Sequence, residues 1–139
     1  MDAIQRLLAE QACAKLVHRY AALLDAGEHD AVAALFAEDA SYARPTDPDN
    51  PLRGRVAILA EFKGRPARIA RHIISNVAVE VESETEARGH CRVVLYIGSG
   101  TDAPAPIERT LVGDFDDRFR KVGDQWLFAE RKGGVTLRA

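Results

Sequence analysis

The period of the hydrophobic pattern changes once along this chain, near residue 69, and that change limits the folds open to it. Before it, Ile4, Leu7, Leu8, Leu16, Val17, Tyr20, Leu23 and Leu24 recur at helical offsets, which predicts one apolar stripe on a helix of about six turns. Gly27 stops that helix, and His29-Asp30 opens a shorter one, with Asp30 placed to cap its free amides and Val32, Leu35 and Phe36 as its apolar face. Glu38 to Ala43 is short enough for a strand. Pro45 to Pro51, with three prolines among Asp and Asn, predicts a surface loop. Gly54 then precedes a third helix over Val56, Ile58, Leu59 and Phe62, ended by Gly64 and Pro66.

Beyond residue 69 the period is two. Val77, Val79 and Val81 form one alternating set, and Cys91, Val93, Leu95 and Ile97 another. Leu111, Phe115 and Phe119 share a face in a third run, and Trp126 to Ala129 marks a fourth. An all-helical start followed by a meander of long antiparallel strands predicts an α+β fold with helices laid on one face of a curved sheet. No repeat or linker divides the chain, so residues 1–139 are expected to form one domain.

Composition narrows the functions. With 19 Lys and Arg against 21 Asp and Glu, the net charge is -2, which lacks the basic footprint of a nucleic-acid partner. No apolar run approaches the roughly 20 residues of a membrane span, and the first residues lack the basic start of a signal peptide. A cytoplasmic location is therefore expected, with Cys13 and Cys91 as reduced core thiols. No CxxC, His-rich tract, GxGxxG or GxxxxGK[ST] is present, so neither a cofactor nor a metal is expected.

Two residues stand out as chemistry. Asp25 follows Leu23-Leu24 at the end of the long helix, where the macrodipole disfavours an acid. It is either a solvated carboxylate or one turned inward towards a partner. His72 lies at the head of a strand among Arg71, Ile73 and Ile74, as a hydrogen-bonded core residue or as a base. A neutral imidazole suits proton abstraction near pH 7, and an Asp on one ring nitrogen fixes the tautomer and stabilises the imidazolium. Strict alternation, however, puts His72 with Ile74 and Asn76 on the face opposite Val77, Val79 and Val81. Only a bulge, or cover on both faces, reconciles the two. Tyr20, Tyr42, Tyr96 and Asn76 are further polar candidates, and Arg131 or Lys132 could close a pocket with positive potential. His18, His29, Arg118 and Arg120 read as solvated, and His90-Cys91 point to opposite strand faces, a poor metal pair.

The segments Tyr20-Ala-Ala-Leu-Leu-Asp25, His29 to Ala40, Gly54-Arg-Val56-Ala-Ile58, Arg71-His72-Ile-Ile-Ser-Asn76 and Gly113 to Arg131 together resemble the SnoaL-like branch of the nuclear transport factor 2-like superfamily. That resemblance implies a cone: a strongly bent, mostly antiparallel sheet wrapped around N-terminal helices, with a deep apolar pocket and assembly as a homodimer or homotrimer. It further implies that Asp25 and His72 fall at the positions of the dyad in scytalone dehydratase and hexachlorocyclohexane dehydrochlorinase. Arg131 or Lys132 falls near a cation that assists the leaving group in the latter. The chain lacks the full set of tyrosines and the second histidine of the dehydratase, and has no clear match to the acidic base of ketosteroid isomerase.

The resulting expectation is a cofactor-independent lyase or isomerase, dehydratase- or cyclase-like, acting on a small hydrophobic cyclic or polyketide-like substrate. His72 would be the catalytic base and Asp25 its orienter, with Tyr20, Tyr42, Asn76, Tyr96 and Arg131 binding substrate. The alternative is a non-catalytic protein of the same fold that binds a small hydrophobic molecule or serves as an assembly subunit.

Overall fold

The computed structural model describes residues 1–139. Helix α1 spans Ala3–Asp25 and α2 His29–Ala33. Strands β1 (Phe36–Arg44) and β2 (Asp47–Arg53) follow, then α3 (Arg55–Lys63). Four long strands complete the chain: β3 (Ala70–Val81), β4 (Glu86–Gly98), β5 (Ile107–Val122) and β6 (Gln125–Arg138). They form one open sheet in the order β2-β1-β6-β5-β4-β3, antiparallel throughout except where β1 lies parallel to β6. The helices cover its concave face, as the switch of period predicts. No helix is long and apolar enough to cross a membrane.

An aromatic cluster fills the concave side. Tyr20 of α1 meets Phe36, Tyr42, Phe62, Phe115 and Phe128 edge-on, at centroid separations of 5.9 to 6.3 Å. Such contacts add about 0.5–1.5 kcal/mol per pair beyond the area they bury, so Tyr20 ties α1 to both halves of the sheet. Cys13 and Cys91 are fully buried in the same core as free thiols, and burial pushes the Cys13 thiol up to about 12.

Four sequence expectations need correction. The stripe on α1 is not continuous: Cys13, Leu16, Val17 and Tyr20 are buried, but Ile4, Leu7 and Leu8 are exposed. At about 100° per residue these three lie on the opposite side of the helix from the core set. Asp30 does not cap α2, whose N-cap is Glu28 without a side-chain bond, and Asp30 falls in the first turn. His29 is not solvated but half-buried, stacked on Phe62. The proline-rich segment is not merely loop, because Asp47–Arg53 pairs with β1 through Tyr42↔Leu52 and Ser41↔Arg53. As an edge strand, β2 can carry Pro48 and Pro51 without loss of a ladder bond on its open side.

Bulges bend the sheet. The β3–β4 register shifts between Ser75 and Ala78, where Asn76 adopts φ +53. The β5–β6 register shifts at Val112/Gly113 and again at Arg118/Phe119. At Gly113 the strands approach so closely that a Cβ would enter the carbonyl of Gly134. Gly113→Ala is therefore expected to cost at least about 2 kcal/mol, measured by urea unfolding, because the obstacle is backbone and cannot rotate away.

Candidate active site

Helix α1 delivers Asp25 as its last residue. The chain then leaves through Gly27 at φ +74, with the Gly27 and Glu28 amides returning to the carbonyls of Leu24 and Leu23. This tight exit turns Asp25 onto β3. Since β3 ends the sheet, the amide of His72 has no strand beyond it, and Asp25 Oδ2 accepts that N–H at 2.8 Å. Asp25 Oδ1 lies 2.5 Å from His72 Nδ1. One carboxylate thus holds both backbone and ring of a single residue. The two donors also offset the unfavourable position of an acid at a helix C-terminus.

The carboxylate sets the tautomer. As an acceptor it keeps the proton on Nδ1, and Nε2 is left without a protein partner. The side chains of His72 and Asp25 are only 8% and 12% exposed, so water screens their contact weakly. The bulge at Ser75–Ala78 accounts for the parity conflict in the sequence. His72 and Ile74 on one side of it, and Val77, Val79 and Val81 on the other, all turn towards the helices. Asn76, in the left-handed region, absorbs the extra residue.

His72 lines a cavity of about 270 Å³. Leu24, Val93, Leu95, Ile97 and Leu111 supply apolar wall, and Tyr20, Tyr42 and Phe115 lie at its aromatic end. The hydroxyls of Tyr20 and Tyr42 are 2.7 Å apart. Burial, with Tyr42 alongside, holds the Tyr20 hydroxyl protonated far above its ordinary range. A second hollow adjoins, and His72, Leu24, Arg65 and Arg68 line both, so Asp25 faces the second from behind the imidazole.

Of the residues singled out in the sequence, Asp25 and His72 touch, and Tyr20 and Tyr42 share the cavity with His72. Asn76 is exposed at the bulge, and Tyr96 is 39% exposed; neither lines the cavity. Lys132 is exposed, whereas Arg131 is wholly buried behind the aromatic end, its guanidinium 4.3 Å from the Tyr20 ring centre and 3.8 Å from that of Phe115. Its Nε lies 3.2 Å from Oδ1 of Asp117, a residue only 4% exposed, and its Nη2 lies 3.6 Å from Cys91 Sγ. Burial pushes the Asp117 carboxyl up to about 6, against the pull of Arg131.

Reading the sequence missed four arginines that line the cavity: Arg44, Arg65, Arg68 and Arg109. Arg65 and Arg68 sit in the α3–β3 connection, where no periodicity marks a face. Asp117 was also missed, although its parity with Phe115 and Phe119 shows that it points inward.

Comparison with known proteins fits this geometry. Residues 5–132 match the family described as the SnoaL-like domain. Among solved structures, a protein of Novosphingobium aromaticivorans provisionally assigned as a scytalone dehydratase superposes with TM-score 0.86 at 26% identity, covering 99% of this chain and 91% of that one. A hexachlorocyclohexane dehydrochlorinase, LinA type 2, superposes with TM-score 0.84 at 14% identity, over 99% of this chain and 92% of that one. An NTF2-like protein of Novosphingobium aromaticivorans with a cystatin-like fold gives TM-score 0.75 at 25% identity, over 96% and 86%. Among curated proteins, no sequence matches this chain. With its open, bent sheet, its helices on the concave face and a family match over nearly its whole length, the chain belongs to the SnoaL-like domain family and has the nuclear transport factor 2-like cone fold.

Proposed function

We propose that this protein is a cofactor-independent lyase or isomerase whose base is His72. The observation that carries the reading is the double engagement of His72 by Asp25 at the edge of a cavity walled by apolar side chains on one side and by arginines on the other. In the proposed step, Nε2 removes a proton from carbon next to an activated centre. The electron pair left behind forms a double bond as a leaving group departs from the neighbouring carbon, or the proton returns at another position. Asp25 stabilises the imidazolium without taking its proton. In the bonded pair of Tyr20 and Tyr42 hydroxyls one donates to the other, which leaves the second O–H to donate to a substrate oxygen on which charge develops.

Arg131 is out of substrate reach and acts from behind the Tyr20 and Phe115 rings. The apolar walls fit a cyclic or polyketide-like carbon skeleton. The kinship in fold with a dehydrochlorinase, and in fold and sequence with a protein assigned as a dehydratase, supports elimination over other proton-transfer chemistry.

The test uses D2O and a panel of small cyclic ketones and β-hydroxy or β-halo carbonyl compounds. The wild-type chain is expected to exchange or eliminate the acidic C–H of one class, read by proton NMR, and His72→Asn is expected to leave that hydrogen in place. Equal behaviour of the two chains would reject His72 as the base. A cavity that binds the panel and transforms none of it would favour the reading as a binding protein.

A further inference from the structure

The cavity has an uncompensated charge. Four arginines line it (Arg44, Arg65, Arg68 and Arg109), and the one acid among its lining residues is Glu61. That acid is already engaged, with Arg44 at 2.7 Å and Arg65 at 3.5 Å, and Arg44 also reaches Asp47 at 2.9 Å. Arg68 and Arg109 make no ion pair and no side-chain hydrogen bond. They come from separate elements, Arg68 from the α3–β3 connection and Arg109 from the start of β5. Partial desolvation and the like charges of Arg65 and Arg109 pull Arg68 below its ordinary value, against the opposing charge of Asp25. Both side chains are exposed at the rim of the cavity, so two guanidiniums whose N–H donors bond to no protein group face its mouth, open to a negative group that can span them.

We infer that the substrate carries an oxyanion, a carboxylate or phosphate ester, which Arg68 and Arg109 hold at the mouth while its apolar body lies along Leu95, Ile97 and Leu111 towards His72. The guanidinium fork presents paired N–H donors that match either group, and it binds more strongly in a partly dry site than in open water. This substrate class rests on the lyase reading for its chemistry, but its binding does not depend on turnover.

The experiment is isothermal titration calorimetry with three probes that share one apolar body: 2-naphthoate, 2-naphthyl phosphate and neutral 2-naphthamide. They are titrated into the wild-type chain, Arg68→Gln, Arg109→Gln, the double variant and Lys63→Gln, a control on α3 outside the cavity. At least one anion is expected to bind about 10-fold tighter than the amide, and whichever it is identifies the oxyanion. Each single variant should lose about 3–10-fold for that anion alone, and the double variant should bind it no better than the amide. Raising NaCl from about 0.02 to 0.5 M should weaken the anion and spare the amide. The inference is overturned if neither anion is preferred, including the case in which no probe binds, or if the double variant keeps the preference. Failure of the lyase reading shows elsewhere, as unchanged turnover in His72→Asn, a variant that should keep the anion preference intact.

Discussion

His72→Asn is expected to lower kcat/KM by about 10²–10⁴-fold on any substrate the wild-type chain turns over, while the protein stays folded. The choice of asparagine matters. Its side-chain amide stands near the place of Nδ1 and can still donate to Asp25, so the helix–strand contact survives, and only the free Nε2 is lost. His72→Ala removes both functions at once. It leaves Asp25 with the His72 backbone N–H alone, so a loss of stability would be mixed with the loss of chemistry.

Asp25→Asn tests the other half of the pair. An amide facing Nδ1 can accept or donate, so the tautomer is no longer fixed, and a drop of about 10²–10⁴-fold is expected despite an almost isosteric change. An Asp25→Asn protein with wild-type rate would reduce Asp25 to a structural tie between α1 and β3.

The part of this architecture legible in the sequence is the part controlled by periodicity. Alternation in β3, β4 and β5 shows which residues face the helices, and the same rule places Asp117 beside Phe115 and Phe119 on the inner face. What periodicity cannot show is where it breaks. The bulge at Ser75–Ala78 turns His72 inward without glycine or proline to mark it. The one local hint is Asn76, a residue that tolerates positive φ better than most. The α1 stripe failed for a related reason. Offsets of three and four connect Ile4 to Leu7 and Leu8, but carrying that row past Gln11 leads to the solvent side, and the buried row starts at Ala9 and Cys13. Arg68 and Arg109 carry no local pattern at all. Their convergence is set by how a connection and a strand start fall across a bent sheet, which a single chain read in order does not display.

Arg131→Met is expected to destabilise the protein by about 3–5 kcal/mol near pH 7.5, judged by urea unfolding. Methionine fills much of the space and suits the Tyr20, Phe115 and Phe128 rings around it, so cavity formation is not the main cost. The cost is Asp117, 4% exposed and without its cation, which must either stay ionised in the core or take up a proton against the pH. Even in the wild-type chain the pair is imperfect: Arg131 Nε and Nη1 and Asp117 Oδ1 form no aligned hydrogen bond. Replacing both residues, as Arg131→Met with Asp117→Leu, should therefore recover most of the loss. The pH dependence follows from the same carboxyl. Folded Asp117 titrates near 6, and an unfolded aspartate near 3.9. The folded chain thus takes up this proton first, so the group's contribution to stability rises as pH falls from about 6 to 4 and is lost as pH climbs back through that window. Asp117→Asn should flatten this slope. In Arg131→Met the slope should steepen and extend to higher pH, because the lost cation no longer favours the ionised form, and the penalty at pH 5 should be clearly smaller than at pH 7.5. A penalty independent of pH would mean that Arg131 acts through packing against the rings rather than through its charge on Asp117.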